Sequence, residues 1–328
     1  MRNLAIDKPN LFIDSGLGGL TTLFQTQALL PNEEFIYCAD FKNSPYGNKT
    51  LKQIQNIVLH NLKYFYAEFQ PKSVVFACNT ATATTIQEVR KHYPSVVVVG
   101  AEPAIKPALQ SGKKKILVLC TKGTLNESNL VQLFKIYKKD MLDFCVLSEL
   151  ATLIDNYYSS NPQLIHKYLV EKLSSYKGKV DGVVLGCTHY IIVGESIKHI
   201  LGDIPVFNGN MGIAKRLKES LDMLGLLKET DQSNKTFFTP QLPAEQNSTF
   251  STQIAEKLSL EVCEQKNMTA DKENPTFGDN LNFHLSIGEN SNQPVGKVKL
   301  FSTDPEKQSL LLQNYQHLSE RRKELCAV

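Results

Sequence analysis

Eight short runs of apolar, β-prone residues, at 11–14, 34–38, 73–77, 96–100, 116–119, 142–147, 181–185 and 204–207, alternate with helix-like segments. Runs that are apolar throughout, rather than at every second position, suit parallel strands covered on both faces. Parallel neighbours need a crossover, and the segments between the runs supply it. The pattern predicts an α/β fold made of two doubly wound α/β domains with mainly parallel sheets. The clearest helix starts after Thr50, where Thr50 and Gln53 have capping-box spacing. It puts Leu51, Ile54, Ile57, Val58, Leu62, Phe65 and Phe69 on one face. A second helix is expected after Asn79, ending before Pro94.

Gly100-Ala101-Glu102-Pro103 reads as the crossing into a second domain, and 204–209 as the return. The expected division is 1–100 plus 208–328 for the first domain and 101–207 for the second, with the active site in the cleft between them. Residues 231–295 are rich in Asn, Ser, Thr, Gln and Pro and read as a partly ordered polar insertion in the first domain. Regular pattern resumes at Lys297-Val298-Lys299-Leu300-Phe301. A final helix follows, with Thr303 or Asp304 as its cap and Pro305 at its first position.

With 328 residues and 42% hydrophobic content, the chain can bury a large core. A net charge of +3 gives no global reason to expect a nucleic-acid partner. The polar opening MRNLAIDKPN does not read as a signal peptide, and no run approaches the roughly 18 apolar residues of a spanning helix. A soluble, cytoplasmic protein without a membrane partner is expected. The seven cysteines are odd in number and widely spaced, which argues against a disulfide framework. No metal-ligand spacing occurs, so no metal site is expected. Cys38, Cys120 and Cys145 sit in or beside apolar runs and read as packing residues.

Two other cysteines occupy a different setting. Ala77-Cys78-Asn79-Thr80 and Gly186-Cys187-Thr188-His189 each follow a strand-like run and lead into a helix. Open α/β sheets bind ligands at the carboxyl ends of their strands. A helix N-terminus there favours thiolate over thiol. Such a pair suits removal of a weakly acidic carbon-bound proton, which needs a base and donors for the developing charge. Asn79, Thr80 and Thr188 are donors beside the thiols, and His189 can tune Cys187 or pass protons. The turn Asp14-Ser15-Gly16-Leu17-Gly18-Gly19 lacks dinucleotide spacing. Asp14 there reads either as a helix cap or as a group that holds an ammonium or orients a neighbour. Thr121 and Thr124 follow another strand and suit carboxylate binding or capping. Ser44-Pro45-Tyr46-Gly47 lies at the same sheet edge and reads as a turn or a substrate loop.

Taken in order, Asp14 to Gly19, Pro45-Tyr46-Gly47, Ala77 to Ala81, Glu102-Pro103-Ala104-Ile105-Lys106-Pro107-Ala108 and Gly186 to Tyr190 resemble the motif set of bacterial glutamate racemases. The resemblance covers roughly residues 10 to 226, with Lys299 to about Leu312 similar to that family's last strand and helix. Aspartate racemases share the paired cysteines but typically carry Glu after the second Cys-Thr, so Thr188-His189 favours the glutamate branch. The resemblance implies cofactor-independent, two-base proton transfer, with Cys78 acting on D-glutamate and Cys187 on L-glutamate. Asp14 and His189 match the assisting positions. Ser15, Pro45, Tyr46, Gly47, Asn79, Thr80, Thr121, Thr124 and Thr188 match the substrate-binding positions. The implied role is D-glutamate supply for peptidoglycan in a bacterial cytoplasm. Oligomeric state stays open, with a homodimer as one candidate. Asp155 stands where many relatives carry Glu, a shorter carboxylate that weakens any assistance to Cys187. Competing readings are an aspartate racemase, a binding protein that has lost catalysis, and a thiol-disulfide oxidoreductase.

Overall fold

The computed structural model describes residues 5–123, 139–228, 285–287 and 297–327. Thr124, Cys263 and all but three residues of the polar insertion lie outside them. The expected strands are present as β1 (Asn10–Asp14), β2 (Phe35–Ala39), β3 (Ser73–Phe76), β4 (Val97–Gly100), β5 (Ile116–Cys120), β6 (Leu142–Val146), β7 (Gly182–Leu185) and β8 (Val206–Phe207). To these are added β9 (Leu285–Ile287) and β10 (Val298–Ser302). The run at 204–207 yields only two strand residues, because Pro205 has no N–H to donate.

The strands form two sheets, ordered β4-β3-β1-β2-β10-β9 and β6-β5-β7-β8. Every pairing is parallel except that of β9 with β10. In the first sheet the chain runs from β1 outward to β2, then returns to β3 on the other side of β1. The second sheet repeats this, with β6 and β7 on opposite sides of β5. Each sheet therefore has a topological switch point, one between β1 and β3 and one between β5 and β7, where crossovers leave in opposite directions and open a crevice.

Alternation along the strands splits the core. Leu11 and Ile13 of β1 face the helices Leu51–Phe69 and Asn79–His92, while Phe12 faces the opposite layer. In β5, Leu117 and Leu119 join the same central core as Phe12, and Ile116 and Val118 face outward to Ile105 and Leu109. One continuous apolar core thus joins the two sheets. The capping box at Thr50 forms as expected, Gln53 N donating to Thr50 Oγ1 at 3.3 Å and Thr50 N to Gln53 Oε1 at 2.9 Å. Ile54, Val58, Leu62 and Phe65 are buried, but Leu51, in the first turn, is 55% exposed. Thr50→Ala removes the cap and is expected to cost about 1 kcal/mol, read as a lower urea midpoint at unchanged slope. Asp304 caps the short 3-10 turn Pro305–Lys307, accepting from Glu306 N at 3.1 Å, and the helix that follows starts only at Gln308, without a side-chain cap.

Candidate active site

Asp14 ends β1, Cys78 follows β3, Thr121 follows β5 and Cys187 follows β7. All four thus sit at the two switch points, and the sheets present these edges to one another. The shared cleft is lined by Ser15, Pro45, Tyr46, Gly47, Cys78, Asn79, Thr80, Thr121, Cys187, Thr188 and His189, together with Ala151 and Gly186. Eleven of the sequence-predicted positions therefore converge there. Asp14 lies directly behind them, its Oδ2 accepting from Thr188 Oγ1 at 3.1 Å and its Oδ1 from Gly16 N at 3.0 Å. The first helix begins only at Leu20, after Gly19, so Asp14 does not cap it.

The glycines of the first turn are there for space. A Cβ on Gly16 would overlap the Asp155 carboxylate, and one on Gly18 would overlap His189 and Thr188. Close approach of this turn to the second sheet is what lets residues of both sheets share one site.

The two thiols have different surroundings. Cys78 caps the helix Asn79–His92, its Sγ accepting from Ala81 N at 3.5 Å. The helix terminus was expected to favour the thiolate, but burial, reinforced by the Asp14 charge, outweighs it and pushes the thiol up to about 12. Cys187 is half-buried, with His189 Nδ1 at 3.8 Å from its Sγ. The other ring nitrogen, Nε2, meets Asp155 Oδ1 at 3.0 Å. Burial alone would lower the imidazole's pKa. The Asp155 carboxylate, then Cys187, outweigh that and hold it well above its ordinary value. Asp155 is 3% exposed and also accepts from Leu17 N at 3.0 Å and Ser44 Oγ at 3.3 Å. It therefore reaches Cys187 through His189 rather than directly. Asp14 itself is pushed up to about 6, by burial first, with the His189 charge and Gly16 N–H opposing.

The sequence points to Asp155 only through the family resemblance and does not point to Asp40, which accepts from Tyr46 OH. Asp155 and His189 are 34 residues apart and meet only across the packed sheets. A carboxylate ending the mainly apolar run Leu150-Ala151-Thr152-Leu153-Ile154-Asp155 is the available sequence signal.

Several polar groups expected to hold substrate bond one another across the cleft. Asn79 Nδ2 donates to Gly186 O at 2.7 Å, and the Thr80 and Thr121 hydroxyls lie 3.4 Å apart. Asn79 Oδ1 is buried without a hydrogen-bond partner. The cavity has a volume of about 20 Å³, space for roughly one water. A molecule larger than water enters only if the walls part, and its polar groups can then replace these cross-cleft bonds. Among the described residues, no group of three or more His, Cys, Asp or Glu side chains is arranged to hold a metal ion. No helix among them is long and apolar enough to cross a membrane.

Known proteins share this fold. The family model described as Asp/Glu/Hydantoin racemase matches residues 24–216. The glutamate racemase of Clostridium botulinum strain Langeland is 35% identical over 233 residues, covering 70% of this chain and 90% of the relative. Among solved structures, Escherichia coli glutamate racemase in complex with L-glutamate and the activator UDP-MurNAc-Ala superposes with a TM-score of 0.59 at 27% identity. That match covers 66% of this chain and 83% of that one. Francisella tularensis glutamate racemase in complex with D-glutamate gives 0.58 at 26% identity, covering 69% and 85%. The chain belongs to the Asp/Glu/hydantoin racemase family, in its glutamate racemase branch.

Proposed function

We propose that the protein is a glutamate racemase, an isomerase that interconverts L- and D-glutamate by proton transfer between two cysteines on opposite faces of the α-carbon. The carrying observation is the pairing of Cys78 and Cys187 in one cleft with unlike partners. Two-base racemisation needs one thiol that gives a proton while the other takes one. Cys78, pushed up to about 12 by burial, holds its proton in the unliganded site. The charged neighbours differ: His189 Nδ1 lies 3.8 Å from Cys187 Sγ, whereas Cys78 sits beside the Asp14 carboxylate. In this reading Cys187 takes the proton of L-glutamate and Cys78 delivers its proton to the other face. In the reverse direction, a bound substrate ammonium group beside Asp14 and Cys78 offsets the carboxylate and favours loss of the Cys78 proton.

In this reading Asp14 assists Cys78, and His189, oriented by Asp155, assists Cys187. Ser15, Asn79, Thr80, Thr121 and Thr188, with the backbone of Pro45, Tyr46 and Gly47, hold the two carboxylates. Residues 1–100 with 208–328 and residues 101–207 act as two domains that part to admit substrate. The cellular role is supply of D-glutamate for peptidoglycan in the cytoplasm. The test is a cofactor-free assay with L-glutamate and L-aspartate in parallel, in deuterated water. D-glutamate should accumulate with deuterium at the α-carbon. Turnover of aspartate alone, or no exchange with either acid, defeats the reading.

A further inference from the structure

We infer that Thr303, on the C-terminal segment, is a positioning residue for the substrate loop, acting through the buried carboxylate of Asp40 on Tyr46. The inference rests on the racemase reading and adds to it the residues that hold the loop in place. Asp40 is fully buried and receives four side-chain donors. Thr303 Oγ1 donates to Oδ1 at 2.6 Å and Asn43 Nδ2 to the same oxygen at 2.9 Å. Tyr46 OH donates to Oδ2 at 2.5 Å and Asn61 Nδ2 at 3.3 Å. Charge-assisted bonds to a buried carboxylate are the strong ones, and leaving one unmade is costly.

Two consequences follow. Tyr46 has a single hydroxyl proton, and it is committed to Asp40. The hydroxyl therefore fixes the ring in the cleft wall instead of donating to substrate. The second concerns Thr303, which is tied to the root of the loop by three bonds. Its N donates to Ala39 O at 3.1 Å, its Oγ1 to Asp40, and Lys42 N donates back to Oγ1 at 3.0 Å. Thr303 arrives there because β10 pairs beside β2, Ser302 opposite Ala39. A residue 263 positions away from Asp40 thus completes the hold on Pro45-Tyr46-Gly47. Without its hydroxyl, Lys42 N loses an acceptor and Asp40 a donor. The loop must then be ordered by the substrate itself, which weakens binding while leaving both thiols in place.

The experiment measures kcat and KM for both glutamate enantiomers, and the glutamate Kd by calorimetry, in Thr303→Val, Thr303→Ser, Tyr46→Phe and the Thr303→Val/Tyr46→Phe double variant. Thr303→Val should raise KM and Kd about tenfold for both enantiomers, as expected for one lost buried bond, with kcat changed far less. Thr303→Ser should restore both. Because the two side chains act through one carboxylate, the double variant should be no worse than the worse single one. A folded Thr303→Val protein with unchanged KM and Kd overturns the inference, as does a lowered Tm without a binding change. Additive effects in the double variant also overturn it. Should Thr303→Val fail to fold, Tyr46→Phe reads the same chain from its other end, and wild-type binding by that variant is the overturning result. Failure of the racemase reading is seen separately, as absence of turnover by the unaltered protein, and the Kd comparison still judges the loop.

Discussion

Cys78→Ala and Cys187→Ala are each expected to lose racemisation by about 10³-fold or more, as removal of an essential acid or base does, while failing in opposite ways. Racemisation requires a proton to leave on one face and arrive on the other, so either deletion blocks both directions. Proton exchange requires only one face. With Cys78 removed, Cys187 and His189 can still take and return the α-proton of L-glutamate. That variant should wash deuterium into L-glutamate without forming D-glutamate. Cys187→Ala should do the reverse with D-glutamate. Cys120→Ala serves as the control. Cys120 is fully buried and its Sγ points towards Cys145 O at 3.9 Å, so its loss should leave turnover within a few-fold. Racemisation surviving in either single variant, or exchange of the same enantiomer by both, defeats the two-base mechanism. Proton NMR of each enantiomer in deuterated water separates these outcomes.

What could be read before the fold was known was whatever is written locally. The thiol turns are strand-turn-helix units within a dozen residues, and the capping box at Thr50 spans four, so both were legible. The long-range contacts that hold the site together were not, since their partners arrive from elsewhere. Asp155 meets His189 across 34 residues, Thr188 meets Asp14 across 174, and Thr303 meets Asp40 across 263. The packing of the two sheets at their switch points creates the first two contacts, and the pairing of β10 beside β2 creates the third. Local reasoning also misjudged Cys78. The helix N-terminus it caps is present, but the amide at 3.5 Å is outweighed by burial and by Asp14. Apolar periodicity similarly places Leu51 in a buried stripe, whereas the folded chain leaves it 55% exposed.

Asp14→Asn should make the protein more stable at neutral pH and much less active. Burial raises the Asp14 pKa from 3.8 to about 6 in the folded protein. The folded state therefore binds this proton more tightly than the unfolded chain does. Below pH 3.8 the group is protonated in both states and favours neither charge form. Between 3.8 and about 6 the unfolded chain loses the proton first, so stability falls as pH rises. Above about 6 the whole penalty stands, about 3 kcal/mol for a shift of roughly two units. Asparagine carries no such proton. Its amide oxygen can still accept from Gly16 N, and its amide nitrogen can donate to Thr188 Oγ1. Urea unfolding of wild type and variant should nearly agree at pH 3.5 and separate in the variant's favour by up to about 3 kcal/mol at pH 7.5. Turnover should fall by about 10², more in the direction that begins at Cys78. If the variant is the less stable protein at pH 7.5, burial is not the dominant influence on this carboxylate. If it is the more stable one and the less active, the cost of an ionised Asp14 is carried by the fold because Cys78 needs a carboxylate beside it.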